Sequence, residues 1–346
     1  MRKKGFVLFV IALLMVSLLA GCGGKQEQPS GKDQGSAPEA KPVTLRLGHV
    51  VQEKTALHKG ALKLAEEVKA KSNGQIIIEV YPASALGGNR ELIESVQSGA
   101  VDMALPAMAI LSGFTNNKTA IFDLPYLWKN ESAAEKVLDG PIGQSIFDEV
   151  KKSGILGLAY WTQGWRHVTN DKKPIRKPED LKGMKIRTME NPLHMAHFNT
   201  LGASAVPMAF SEVYTSLQQK VIDGQENPYV NIVSMGFYEV QRYITETGHI
   251  YDPVPLLMSE ITWKKLSPEQ QKIIADTVKE ITNYERELSR QDAVEYKKQI
   301  LATGKNEIIE LTPEERQAFR DAAQPVYDSF QDKELLQKVL DAQKDM

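Results

Sequence analysis

A single cysteine stands among 346 residues, so no disulfide can form within the chain. Neither sign of charge dominates: 42 Lys and Arg face 44 Asp and Glu, for a formal net of −2. That balance, without a recurring basic block, argues against a nucleic-acid surface, and any electrostatic pull on a ligand has to be local to a cleft. There is no Gly-x-Ser-x-Gly nucleophile turn and no phosphate loop ending in Gly-Lys-Ser/Thr. His194 and His197 lie three apart on a predicted helix, but nothing nearby completes a metal set. The paired carboxylates Glu66-Glu67 and Glu314-Glu315 fall on helical patterns, where solvated faces account for them. No catalytic constellation emerges; an enzyme, a metal or a cofactor is not expected.

What is present begins with a leader. Met1 to Lys4 is basic, Phe6 to Leu19 is apolar, and Leu19-Ala20-Gly21-Cys22 places small residues before the thiol. An apolar run this short between such flanks reads as a secretory signal, and its ending resembles a bacterial lipobox. Residues 1–21 are therefore expected to be removed and Cys22 lipidated; two or three acyl chains anchor firmly where one does not. Residues 22–42 are rich in Gly, Lys, Gln, Ser, Pro and Glu and predict a flexible tether. The protein is thus expected outside the cytoplasm, on the periplasmic side or outer face of the membrane, as a globular body on a leash.

From Val43 onward strands and helices alternate. Val43 to Leu47, Gln75 to Tyr81 and Ala100 to Leu105 read as strands, with helices at Thr55 to Lys71 and Arg90 to Ser98. This order predicts an α/β fold with mainly parallel sheets, whose ligands bind beyond the carboxyl ends of the strands. Gly154 to Tyr160 predicts a further strand, leaving through Gly164-Trp165-Arg166 as a loop. Ser267-Pro268-Glu269 opens a helical pattern running without proline to about Thr303, long enough to cross two lobes. One internal echo stands out: Glu91 to Asp102 aligns without gaps on Glu212 to Asp223, with Glu, Ser, Gln and Asp recurring at four of twelve places. It suggests two lobes of like construction, each sending a helix-strand unit toward a shared cleft.

The stretch Gly183 to Pro228 carries the chemistry. Met184-Lys185-Ile186-Arg187 alternates as a strand, and Asp223-Gly224-Gln225-Glu226-Asn227-Pro228 closes the segment in a turn-rich end. An anion entering a water-poor cleft needs a fixed cation, and a guanidinium presents paired N–H groups matching two carboxylate oxygens. Arg187 can serve from a strand end, with Asn227 donating an amide hydrogen bond and Phe210 walling the ligand's apolar backbone. Arg166 offers a second cation for a two-acid ligand, or else a salt bridge across lobes. The plain alternative for Arg187 is a solvated strand residue, and for Phe210 a core position.

These residues resemble the receptors of tripartite ATP-independent periplasmic (TRAP) transporters, the DctP-like family. The likeness rests on Gly183 to Arg187, Leu201-Gly202-Ala203, Pro207 to Tyr214, Leu217-Gln218 and Val221 to Asn227. Tyr81-Pro82, Leu86-Gly87, Arg90 and Gly99 to Asp102 add to it, and it extends from about Val43 to the C-terminus. It implies a two-lobed periplasmic-binding-protein-like fold with hinge strands and a long C-terminal helix spanning both lobes. Lobe I would comprise 43–164 and about 253–292, lobe II 165–252 and about 293–346. It further implies a selectivity arginine at Arg187, helped by Asn227, Phe210 and Arg166, and delivery to a small and a large integral membrane subunit driven by an ion gradient. A monomer is expected.

The ligand is less determined. Where sialic-acid receptors of this family carry charged residues, this chain has Val50, Asn89, Pro106, Ala107 and Ile110, which disfavours sialic acid. Met189-Glu190-Asn191-Pro192 differs from the pattern of simple C4-dicarboxylate receptors. Glu190, if ionised, repels a second acid but can bind hydroxyls. A C4-dicarboxylate or related carboxylate is the leading expectation and a hydroxylated monocarboxylate such as a sugar acid the alternative. Service to an ATP-driven permease or a sensor is also open.

Overall fold

The computed structural model describes residues 41–344. Cys22, its leader and the tether lie outside the described residues. Among the described residues ten strands form in chain order: β1 (Val43–His49), β2 (Ile76–Tyr81), β3 (Met103–Leu105), β4 (Ile155–Asn170), β5 (Lys185–Thr188), β6 (Ser204–Pro207), β7 (Gly224–Pro228), β8 (Tyr243–Thr245), β9 (Tyr251–Ser259) and β10 (Glu307–Ile309). The main path runs β2-β1-β3-β9-β4-β7-β5-β6, with β8 on β4 and β10 on β8. The parallel pairs are β1–β2, β1–β3, β5–β6, β5–β7 and β8–β10; β9 pairs antiparallel with β3 and β4, and β4 with β7 and β8.

The order is nearly a palindrome. β2-β1-β3 on one side answers β6-β5-β7 on the other, across the antiparallel pair β9-β4. The sequence echo falls on this pseudo-symmetry. Helix Asn89–Ser98 precedes β3, and helix Val213–Gln218 precedes β7. The aspartate shared by the two copies does the same work in each. Asp102 Oδ2 accepts from the backbone N–H of Arg46 on β1 at 2.8 Å, and Asp223 Oδ2 accepts from that of Lys185 on β5 at 2.9 Å. Gly224 follows Asp223 because a Cβ there would stand 2.2 Å from the Thr169 carbonyl oxygen of β4.

β4 is longer than the alternation predicts. It continues through the expected loop to Asn170, pairing with β9 in its first part and with β7 and β8 in its last five residues. The register slips between Thr162 and Trp165, so Gln163 and Gly164 form a bulge, and Gly164 takes φ +84°. β4 and β9 therefore run from one half of the molecule into the other.

Helix Pro268–Ala302 matches the expected long helix, about 50 Å at the usual rise. Its start is a capping box: Ser267 Oγ accepts from Gln270 N, and Gln270 Oε1 accepts from Ser267 N. Ile274, Val278 and Ile281 bury in the core around β1 and β3, and Tyr296 and Ile300 in a core with Val213, Leu217 and Phe237. The same helix thus packs against both halves. The tail divides differently from the expected boundary. Ile309, Leu311 and Phe319 pack in the second half, whereas Val326, Phe330, Leu336 and Val339 pack into the first core. No helix among the described residues is long and apolar enough to cross a membrane.

Candidate functional site between the two halves

The parallel strands of both halves end at one place. Val50 and Val51 follow β1, Ala107 follows β3, Met189 follows β5, Phe210 comes shortly after β6, and Asn227 lies at the end of β7. All line a small inner cavity of about 20 Å³, together with Asn89, Leu105, Gln163, Arg166, Arg187, Asn231 and Asp252. An adjoining cavity of about 160 Å³ shares Val50, Asn89, Arg187, Met189 and Phe210 and adds Arg90, Glu91, Ile110 and Glu190. This is the crevice expected of sheets whose strands converge with their carboxyl ends facing.

Arg187 is buried, with 2 % exposure, at the third position of β5. Its Nε and Nη2 both donate to the Met208 carbonyl, at 3.0 and 2.6 Å. One backbone oxygen thereby locks one side of the fork, and Nη1 has no hydrogen-bond partner. The Nη1–Nη2 edge is what a carboxylate engages with two parallel hydrogen bonds. Burial, with Arg166 nearby, lowers the guanidinium to about 10, so it is a cation at neutral pH. A buried donor without a partner is costly to keep unless something meets it, and the side chain that carries this one lines the cavity.

Arg166 sits inside β4, not on a loop, and is buried opposite Pro228. Each of its three guanidinium nitrogens is engaged. Nε bonds Glu226 Oε2 at 2.5 Å, Nη1 bonds Asp252 Oδ2 at 2.7 Å, and Nη2 reaches Glu226 O, Glu226 Oε1 and Asn227 Oδ1 at 2.7, 3.0 and 3.1 Å. Burial alone would raise the Glu226 carboxyl, but Arg166, His194 and His249 outweigh it and hold the group well below the carboxylate range. Burial raises Asp252 in spite of Arg166. Arg166 is thus the hub of a buried ion cluster that happens to border the cavity.

Of the other expected positions, Asn227 is buried, accepts from Arg166 and from Asn231 Nδ2, and donates to Gln225 Oε1. Phe210 is half-buried, edge-on to Phe237 at 6.1 Å. Asn89 is half-buried and accepts the Ala107 N–H at 2.9 Å, tying the start of its helix to the end of β3. Glu190 lies at the outer cavity, exposed, 3.9 Å from Arg90 Nε. Val50, Asn89, Ala107 and Ile110 all line one cavity or the other; Pro106 lines neither.

Sequence reasoning missed Gln163, Asn231 and Asp252. Gln163 is presented by a bulge that alternation does not reveal. Asn231 lies in the first turn of the short helix Tyr229–Ser234 that follows β7, and no spacing in the sequence marks it.

His194 and His197 are buried. His194 Nε2 lies 3.2 Å from Asp123 Oδ1, and its Nδ1 lies 3.8 Å from Glu226 Oε1. Among the described residues no group of three or more His, Cys, Asp and Glu is placed to hold a metal. Burial would lower His194, but the hydrogen bond to Asp123 and the nearby negative charge of Glu226 outweigh it and bring it up to about 9. The folded value exceeds the unfolded value of about 6.5, so the stabilisation is complete below pH 6.5 and is lost as pH rises through 9. In denaturant titrations, His194→Gln should therefore show a stability deficit that narrows by on the order of 3 kcal/mol between pH 6 and pH 9.5. A deficit that does not change with pH would show that His194 is not charged in the folded protein.

The sequence profile of the bacterial extracellular solute-binding proteins, family 7 (DctP), matches residues 47–334. The C4-dicarboxylate-binding protein DctB of Bacillus subtilis is 34 % identical over 88 % of this chain and 87 % of its own length. The fold aligns with the sugar acid binding protein DctPAm of Advenella mimigardefordensis in complex with galactonate at TM-score 0.85, 34 % identity, and 89 % and 99 % of the two chains. It aligns with a TRAP periplasmic solute-binding protein of Shewanella oneidensis with bound succinate at TM-score 0.84, 32 % identity, and 88 % and 100 % coverage. With the convergent strand ends, the strand β4 shared by both halves and the spanning helix, these matches place the chain in the DctP family of TRAP transporter solute-binding proteins.

Proposed function

We propose that this chain is a receptor, without catalytic activity, that binds a small organic acid between its two halves and hands it to a TRAP permease. The Arg187 edge suits one carboxylate, whether of a C4-dicarboxylate or of a hydroxylated monocarboxylate such as a sugar acid. The observation that carries the reading is Arg187: buried at a strand end, fixed by the Met208 carbonyl, with Nη1 unpartnered beside the cavity. TRAP binding proteins work with membrane permease subunits; here the partners would be one small and one large integral membrane subunit. Lipidated Cys22 would keep the receptor near them, as a monomer.

A thermal-shift screen over dicarboxylates, keto acids and sugar acids tests this. A ligand present at 100 times its Kd stabilises the folded protein by about 2.7 kcal/mol, so at least one acid should raise Tm by several degrees. An unmoved Tm throughout, with a neutral sugar or amine raising it instead, would overturn the organic-acid reading.

A further inference from the structure

We infer that the acid is a polyhydroxylated monocarboxylate whose hydroxyl donates to Asn231, an acceptor oriented through Arg166 and Asn227. This rests on the reading of Arg187 as the carboxylate clamp. A guanidinium can only donate, so the Asn227 atom 3.1 Å from Arg166 Nη2 is its oxygen. That same oxygen lies 3.1 Å from Asn231, which must present its nitrogen there. The Asn231 amide is thereby oriented, and its Oδ1 is left as a buried acceptor without a partner on a side chain that lines the inner cavity. Asn231 is 4 % exposed, so water in bulk does not serve it. Gln163, turned out of the β4 ladder by the bulge, lines the same cavity and also has an unpartnered Oε1.

A second carboxylate has nothing comparable to meet. Arg166 is offset by Glu226 and Asp252, and Asp252 itself lines the cavity. Arg90, at the outer cavity, stands beside Glu190 and Glu91. Carboxylate oxygens only accept, so against Asn231 Oδ1 they would set lone pairs facing lone pairs. A hydroxyl donates to that oxygen and still accepts elsewhere. Sites built to bond a substrate hydroxyl discriminate strongly against analogues lacking it, because their own polar groups are then stranded.

Calorimetry on the purified full chain tests this with D-erythronate, galactonate, succinate and butyrate. The inference expects one of the polyhydroxy acids to bind at least tenfold tighter than succinate or butyrate. It also expects Asn231→Ala to weaken that acid about tenfold and to weaken succinate by a clearly smaller factor. Should Asn231→Ala not fold, deoxy derivatives of the preferred acid on the unmodified protein replace it, and removal of one hydroxyl should cost tenfold or more. Succinate binding as tightly as the polyhydroxy acids, an equal effect of Asn231→Ala on all acids, or indifference to every deoxygenation would overturn it. If succinate binds as tightly as the polyhydroxy acids and Arg187→Ala abolishes that binding, only this inference falls. If no acid binds, the carboxylate reading falls with it.

Discussion

Replacing Arg187 by alanine is expected to weaken acid binding by about 2–5 kcal/mol, roughly 30- to several-thousand-fold, because the carboxylate is left buried without its partner. The unliganded protein should lose little stability. The side chain's two hydrogen bonds go to one carbonyl, Met208 O, while its Nη1 is unpartnered, so removal deletes a desolvated cation as well as two bonds. Arg187→Lys should also bind poorly, since an ammonium has no planar edge to reproduce the paired contact. The split between a large loss of affinity and a small loss of stability distinguishes a clamp from a structural arginine. Calorimetry and denaturant melts on the same variants read both.

Arg166→Met is expected to show the reverse split. It strands Glu226 and Asp252, both buried and both bonded to the guanidinium, and breaking such a cluster costs about 3–5 kcal/mol. The deficit should shrink as pH falls, because an unpaired buried acid is discharged by protonation. Adding Glu226→Gln and Asp252→Asn to Arg166→Met should recover much of the loss, since no charge is then left uncompensated. A destabilisation below about 1 kcal/mol in urea melts would mean that the cluster contributes little. Affinity for a monocarboxylate should fall less than in Arg187→Ala, through the misoriented Asn227 alone.

How far the residues alone reveal this arrangement can be followed element by element. The β-α-β order of the first half, the capped long helix and the motif around Asp223 were legible because local chemistry specifies each: alternation, a Ser-Pro-Glu start, an aspartate beside an obligatory glycine. The echo between Glu91–Asp102 and Glu212–Asp223 proved informative because both aspartates cap a neighbouring parallel strand. β6 and β10 were not legible. They are four and three residues long, and their strand character comes from pairing with β5 and β8 rather than from their own pattern. β4 was read too short because its second part leaves the first sheet for another, a change of partners that alternation does not encode.

The site divides in the same way. The place of Arg187 on a strand was legible from the alternation of Met184 to Arg187, but its burial was not, since a solvated strand arginine fits the same pattern. That Arg166 is engaged by Glu226 and Asp252 was not visible, because Asp252 comes from β9, some eighty residues away in sequence. The orientation of Asn231 depends on a chain of three side chains from two strands and a helix, and no local pattern carries that information.

The most direct test is a crystal structure of the protein with the acid that raises its Tm most. Two oxygens of one carboxylate should lie about 2.7–2.9 Å from Arg187 Nη1 and Nη2, with Met208 O still holding the other side of the guanidinium. A carboxylate bound elsewhere in the cleft, with Nη1 of Arg187 still without an anionic partner, would contradict the account.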